Sequence, residues 1–328
     1  MTQLKATIGI GLVGTGYAAK VRAEVVNAEP RATLVGVAGN TLDKLAKFVE
    51  THQTRSFENW QALINSPDVN LVVISNLNSE HGVIARAALF AKKHVVVEYP
   101  LTLSVSEAES LIALAKNQNC LLHVEHIELL GGMHQSLISN LSKIGQPFYG
   151  RYTTVVPQHP APKKWTFNHE MFGFPLMGAL SRLHRFTHLF GDVASVNARA
   201  TYQPSIDPAY YTSCLCSGQF LFRNGLLLDI VYGKGESVWL PERKLEIQGN
   251  TGALVFDGDR GTLIQSDGSS EIEVPGRRGL FSRDMAMVLD HLFDNAPLYV
   301  TVQQSLYTMK VAEAAQRSAQ LGRTVELG

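Results

Sequence analysis

Thr7-Ile8-Gly9-Ile10-Gly11-Leu12-Val13-Gly14-Thr15-Gly16-Tyr17-Ala18-Ala19 is the stretch whose reading decides the fold. A short apolar run over 7–13 passes directly into a glycine turn, and a helical pattern follows over 18–27. Glycines at such a turn let backbone N–H groups approach a pyrophosphate at the positive N-terminus of the helix. The bare G-x-G-x-x-A pattern says little; placed between a strand and a helix it predicts a dinucleotide site. Gly14, Thr15, Gly16 and Tyr17 are the candidate phosphate-side residues.

Outward from this motif the same alternation continues. Short apolar runs over 33–38, 71–75, 94–97 and 120–124 read as buried strands, with helical stretches over 41–52, 60–65, 80–91 and 104–116 between them. Strands alternating with helices of this length imply βαβ units and a doubly wound parallel sheet. Ser104 followed by Glu107 has the spacing of a capping box. After residue 145 the texture changes: 149–156, 195–202, 211–222, 226–233, 237–249 and 253–256 are rich in β-branched and aromatic residues, and Asn224-Gly225 marks a hairpin. One helix is expected over 176–190, and two more over 282–293 and 302–321. The chain therefore reads as α/β: an N-terminal Rossmann domain over 1–125, and an α+β domain over 126–328 built on a large, mostly antiparallel open sheet. The helix at about 302–321 closes the chain.

The composition narrows the function classes. Twenty-nine basic residues balance 29 acidic ones in 328 residues, so no global field attracts nucleic acid or an anionic bilayer, and an anionic ligand needs a local arginine or lysine cluster. The apolar run over 8–13 is far shorter than the roughly 20 residues of a transmembrane helix. Of three cysteines, Cys214 and Cys216 alternate along one expected strand in poor disulfide geometry, and Cys120 stands alone. Without a Cys/His ligand spacing no metal is expected, and the chain reads as a reduced, cytoplasmic protein with no evident protein partner.

The ends of the expected parallel strands carry the chemistry. Ala38-Gly39-Asn40-Thr41 lacks the acidic residue that holds a ribose 2′-hydroxyl in NAD sites. Asn40 and Thr41 can bond a 2′-phosphate, with Lys44 a turn away, so NADPH is the expected cofactor and NADH a weaker one. Lys44 reads equally well as a solvated helix residue. Further strand ends supply Asn76, Asn78, Glu80 and His81, and then Glu98-Tyr99-Pro100.

This order of motifs resembles the glucose–fructose oxidoreductase/inositol dehydrogenase/MocA family. Most members carry Glu-Lys-Pro where this chain has Glu98-Tyr99-Pro100, and tyrosine in that position is similar to the bilin-reducing branch. The resemblance continues through residues 98–104, His123-Val124-Glu125-His126-Ile127-Glu128-Leu129-Leu130, Gly173-Phe174-Pro175, Ser181-Arg182-Leu183 and Leu189-Phe190-Gly191, and covers essentially the whole chain. It implies a Rossmann half, an open-sheet half, and NADPH-dependent hydride transfer to the central methine carbon of biliverdin. Sugar dehydrogenases of the family place Asp, His and Asp where this chain has Met177, Ser181 and His184, so the base that takes a hydroxyl proton is missing.

On helical spacing, 177, 181, 184/185 and 188 share a face, which places Arg185 at the expected site as the main catalytic group. Arg182, Tyr99 and Glu98 complete the catalytic candidates. Glu98, Tyr99, Asn76, Asn78 and His81 are also candidate cofactor contacts. Arg182 reads equally as a structural ion pair, and His188 reads as a hydrogen-bonded core histidine. Glu125, His126 and Glu128, at the expected domain junction, read equally as catalytic groups or as a hydrogen-bonded polar cluster fixing the two halves, and Glu125 and His126 are candidate substrate contacts. Arg223, Tyr232 and Trp239 are candidates for a flat bilin platform on the sheet's open face, and Lys163-Lys164-Trp165 for propionate contacts or a loop coat. Two other functions stay open: a polyol dehydrogenase of the same family, and a non-enzymatic NADP(H)-sensing protein.

Overall fold

The glycine-interrupted run forms β1 (Ile8–Val13), and its turn launches α1 (Tyr17–Ala28). There follow β2 (Ala32–Ala38), α2 (Leu42–His52), α3 (Trp60–Ile64), β3 (Leu71–Ile74), α4 (His81–Phe90), β4 (His94–Glu98), α5 (Val105–Asn117) and β5 (Leu122–Glu125). The five strands are all parallel in the order β2-β1-β3-β4-β5. The winding direction reverses between β1 and β3, and strand C-termini at such a reversal form the ligand crevice of doubly wound sheets. β3 is buried along its whole length, as expected of a strand covered on both faces. These are the elements of a computed structural model that describes residues 7–328.

The capping box at Ser104 is half formed. Ser104 Oγ accepts from the Glu107 N–H at 3.4 Å, but the Ser104 N–H is taken by Thr102 Oγ1 at 3.1 Å. The Glu107 carboxylate instead points toward Arg86, 3.9 Å away.

Glu128 begins a second unit, Glu128–Arg278 with Gln304–Gly328. It contains α6 (Gly132–Asn140), β6 (Pro147–Pro157), α7 (His169–Phe172), α8 (Pro175–Gly178) and α9 (Ser181–Phe190). β7 (Val193–Pro204), β8 (Tyr211–Phe222), β9 (Leu227–Gly235), β10 (Glu242–Gly249), β11 (Gly252–Asp257), β12 (Arg260–Gln265) and β13 (Gly268–Ile272) follow. Beyond them, α10 (Leu280–Asp294) returns to the first unit, and α11 (Val302–Leu321) and β14 (Val325–Glu326) end the chain. The nine-stranded sheet runs β13-β12-β11-β10-β6-β9-β8-β7-β14, antiparallel except for the central β6–β9 pair.

Three sequence expectations change here. First, α10 does not fold with the residues around it in sequence. Met285, Val288 and Leu289 are buried in one cluster with Ala19, Ala23 and Val26 of α1 and Ile10 and Leu12 of β1, so its apolar stripe completes the first unit's core. Second, the helix expected over 176–190 is two helices. Ala179 leaves helical geometry (φ −107°, ψ 42°), and Gly178 packs so closely that a Cβ there would lie 2.6 Å from the Phe172 ring. Met177 therefore does not share one continuous helical face with Arg185. Third, the strand expected over 237–249 starts only at Glu242, because Pro241 has no N–H to give to a ladder. The strands β12 and β13 and the helix α6 went unread.

Candidate functional site

The first unit presents a phosphate cradle. Gly14 sits at φ +118°, and a Cβ there would lie 2.4 Å from the Ser75 carbonyl oxygen, so only glycine fits. Gly16 has ordinary φ, but the space a Cβ would occupy is open, which leaves room for a ligand to approach the backbone. Helix α1 starts at Gly16 with no side-chain cap and no acid in its first turn, so its N-terminal amides and dipole face outward unneutralised. Thr15 packs beside Gly39, and Tyr17, Asn40, Thr41 and Lys44 are exposed around the same strand ends. Among these side chains none is acidic, and Asp43 stands exposed between Thr41 and Lys44 in the first turn of α2. The donor set fits a phosphorylated dinucleotide.

Several of the expected contact residues are engaged within the protein. His81 is buried, with Nδ1 2.8 Å from the Pro100 carbonyl oxygen; this pins the turn that follows Tyr99, and burial holds the imidazole below its ordinary pKa. Asn78 is also buried. Asn76 donates to Glu80. Glu98 Oε1 accepts from Arg22 Nε at 2.8 Å, which makes it an ion-pair partner. Glu125 is 1% exposed; burial, then the charge of Glu98 and a hydrogen bond with it, push its carboxyl well above the ordinary range. His126 is equally buried and stacks on the Tyr99 ring, with centroids 5.4 Å apart and planes 6° from parallel. Its service is to hold Tyr99, which remains half-buried beside Glu98.

Behind these residues lies a cluster that sequence reasoning missed. Asp284 of α10 is fully buried and accepts hydrogen bonds from Arg22 Nη1 at 2.9 Å and Tyr299 Oη at 2.8 Å, and it lies 2.9 Å from His123 Nε2. Tyr299 Oη in turn accepts the His126 N–H at 3.0 Å. Burial opposes the Asp284 charge, but Arg22 and His123 outweigh it and hold the carboxyl far below its ordinary range. The signal was present: Arg22 stands on the buried face Ala19, Arg22, Ala23, Val26 of α1, where a lone charge needs a buried partner.

The second unit supplies the cationic site. Arg185 on α9 is 2% exposed, and its Nε and Nη1 find no hydrogen-bond partner among the described residues. Its nearest carboxylate oxygen is Glu128 Oε2, 3.8 Å from Nη2, which is too far for a hydrogen bond. Its guanidinium carbon lies 6.0 Å from the Tyr152 ring centroid. Burial pulls the Arg185 pKa down from its ordinary value. Arg185 lines a small cavity of about 100 Å³ with Glu128, Arg243 and Arg277, and these three also line an open cavity of about 420 Å³ with Thr154, Arg182 and Glu242.

Tyr152, Thr154 and Arg243 share the sheet face that carries α9, since Thr154 pairs with Arg243 across β6–β10 and Tyr152 with Leu245. The hydroxyls of Tyr152 and Thr154 are buried without a partner among the described residues. Burial pushes the Tyr152 phenol up, yet Arg182, Arg185 and Arg243 together bring it below its ordinary value. Arg243 was detectable as an arginine on the apolar phase of β10, with Leu245 and Ile247.

The expected bilin platform does not assemble on one open face. Tyr232 pairs with Thr154 and so lies on the α9 side of the sheet. Trp239 is 76% exposed in the loop before β10, stacked on His159 with centroids 4.5 Å apart. Arg223 sits in the β8–β9 hairpin at the other end of the strands and donates to the Leu327 carbonyl at 2.6 Å. Lys163 is held by Asp207 at 3.1 Å. His188 is half-buried, with Nδ1 3.2 Å from His134 Nε2. The cysteines are all free thiols, and among the described residues no cluster could hold a metal and no helix is long and apolar enough to cross a membrane.

Two family profiles match the chain. The oxidoreductase-family NAD-binding Rossmann fold covers residues 8–126, and the oxidoreductase-family C-terminal alpha/beta domain covers residues 137–327. The chain belongs to the Gfo/Idh/MocA oxidoreductase family. Among solved relatives is the crystal structure of a biliverdin reductase from Synechocystis sp. PCC 6803 in complex with biliverdin and NADP+. It is 47% identical over 95% of this chain and 99% of that one, with a TM-score of 0.94. Human biliverdin reductase A is 29% identical over 214 residues, spanning 63% of this chain and 66% of the human protein. Inositol 2-dehydrogenase of Salmonella typhimurium is 28% identical over 170 residues, half of each chain. Within the Gfo/Idh/MocA frame, the positions of the sugar dehydrogenases' reactive groups hold a buried Met177, a buried Ser181 and His184, whose burial pulls it down to about 3.

Proposed function

We propose that this Gfo/Idh/MocA protein is an NADPH-dependent biliverdin reductase that converts biliverdin to bilirubin. The observation that carries the reading is the 47% identity, over 95% of the chain, to a reductase that holds biliverdin and NADP+. Its own residues supply the chemical support. Bound at the Gly14–Tyr17 cradle, with Asn40 and Thr41 at the 2′-phosphate, NADPH supplies the hydride for the central methine carbon. Arg185 offers two buried, open donors to a propionate, and the neighbouring Arg182, Arg243 and Arg277 make the surroundings favourable to a dianion. A pyrrole nitrogen must also gain a proton. A guanidinium is a poor acid, so Arg185 orients a water or the propionate that delivers it. Tyr99, held flat by His126, orients the reacting partners.

The polyol dehydrogenase reading lacks a base, since His184 is buried and neutral and Met177 and Ser181 cannot take a hydroxyl proton. Three free thiols and the absence of a long apolar helix among the described residues accord with a reducing, cytoplasmic setting. The test is to mix the protein with NADPH and biliverdin and follow the green-to-yellow change. Turnover supports the reading. NADP+ reduction by a polyol without that change would establish the dehydrogenase, and cofactor binding with neither reaction would leave a sensing protein.

A further inference from the structure

Arg185 is buried with two open donor atoms although a carboxylate lies only 3.8 Å away. A shift of about 1 Å would bring Glu128 Oε2 into a charge-assisted hydrogen bond with Nη2, and a two-pronged pairing there would take Nη1 or Nε as well. Something holds it back. Arg277 donates Nη1 to Glu128 Oε2 at 2.8 Å and Nη2 to Oε1 at 2.5 Å, a two-pronged pairing that takes both carboxylate oxygens. The loop that carries Arg277 is itself seated: Ser136 Oγ donates to the Glu273 carbonyl at 2.7 Å, and Gly132 fits so closely that a Cβ would lie 1.8 Å from the Pro275 carbonyl oxygen. Glu128 is 13% exposed and Arg277 50%, so the pair spans from the surface to the buried guanidinium.

We propose that Arg277 and Glu128 are positioning residues for Arg185: Arg277 holds the Glu128 carboxylate off the buried guanidinium and so keeps Nε and Nη1 open for a substrate carboxylate. The proposal rests on the biliverdin reading, and the open donors are suited to one of its propionates. Glu128 does a second job in the held position. Burial pushes its carboxyl up, but Arg277, Arg185 and Arg182 outweigh it and keep it charged, which eases the mutual repulsion of the arginines without occupying the donors. Without Arg277, the same carboxylate becomes a competitor of the substrate.

The test is a double-mutant cycle in the NADPH-loaded protein, reading KM and kcat for biliverdin and, separately, the Kd of biliverdin by spectral titration with NADP+. Arg277→Ala should raise KM and Kd tenfold or more while leaving NADPH affinity unchanged. Glu128→Gln should lower KM, since a neutral amide cannot neutralise Arg185. Arg277→Ala/Glu128→Gln should fall back to the KM of Glu128→Gln. Arg277→Lys, which keeps the charge but loses the fork, should show a smaller rise and serves if the alanine variant does not fold. Titrating the same set with glutarate by thermal shift reads the latch without turnover. An active wild type whose Arg277→Ala variant keeps wild-type KM, or a double variant as impaired as Arg277→Ala, overturns the latch. A wild type inert toward biliverdin that still shows the variant pattern with glutarate overturns the functional reading and leaves the latch standing.

Discussion

Replacing Arg185 by Met keeps the length of the side chain and removes only its charge and donors. Two donor atoms, Nε and Nη1, stand buried and open. A hydrogen bond to a charged group contributes about 1.5–3 kcal/mol, so losing both from the bound substrate or transition state costs about 3–6 kcal/mol. At about 1.4 kcal/mol per decade, that is roughly a 10²- to 10⁴-fold fall in kcat/KM for biliverdin. Steady-state kinetics in NADPH and biliverdin, with NADPH binding followed by fluorescence, checks it. A propionate anchor shows as raised KM, and a part in proton delivery as lowered kcat. NADPH affinity should not change, because the cradle belongs to the other unit.

The same substitution should stabilise the fold. Burial holds Arg185 below its ordinary pKa and no carboxylate reaches bonding distance, so the native state carries an unfavourable cation that Met relieves. Lower activity with a higher Tm is the signature of a group kept for function. The reasoning is refuted if Arg185→Met retains kcat/KM within tenfold of wild type.

Three further outcomes follow from the structure. Asp284→Ala should cost about 3–5 kcal/mol in urea unfolding, because it removes one of the two carboxylates that pair the buried Arg22 and the acceptor of Tyr299; a loss below about 1 kcal/mol would contradict the buried network. Asn40→Asp should lower kcat/KM for NADPH about tenfold or more and favour NADH, by placing a carboxylate at the 2′-phosphate; an unchanged preference would refute the placement. Lys234 is buried under Phe172, 3.6 Å from the ring centroid, and burial pulls its ammonium down to about 8. The unfolded chain holds that proton to about pH 10.4, so this residue's contribution to stability is full above that pH and is lost as the pH falls through about 8. Lys234→Met should therefore raise Tm at pH 7, with the gain shrinking toward pH 10; a pH-independent difference would refute the argument.

The parallel half was legible because its information is local. Gly14 reports a left-handed turn, and apolar runs of strand length between amphipathic stretches leave one topology. What escaped reading depends on contacts far apart in sequence. Nothing near Met285 says that its stripe covers α1 rather than the sheet beside it. The arginines divide in the same way. Arg185 was found from its helix position, and Arg22 and Arg243 could have been found as charges on apolar faces. Arg277 sits in a glycine-flanked loop with no periodicity, so only its fork on Glu128 reveals it. For Glu125 and His126 both a ligand contact and a polar cluster stayed open, because a polar run after a strand looks the same whether it meets a ligand or a buried network.

The central claim is hydride transfer from the cofactor to the central methine carbon of biliverdin. Reduction of biliverdin with NADPH carrying deuterium at the transferred position, followed by mass spectrometry and NMR of the product, tests it directly. One NADPH should be consumed per bilirubin formed, with one deuterium at the central bridging carbon. Bilirubin without that label, or biliverdin left unchanged while the protein binds NADPH, would contradict it.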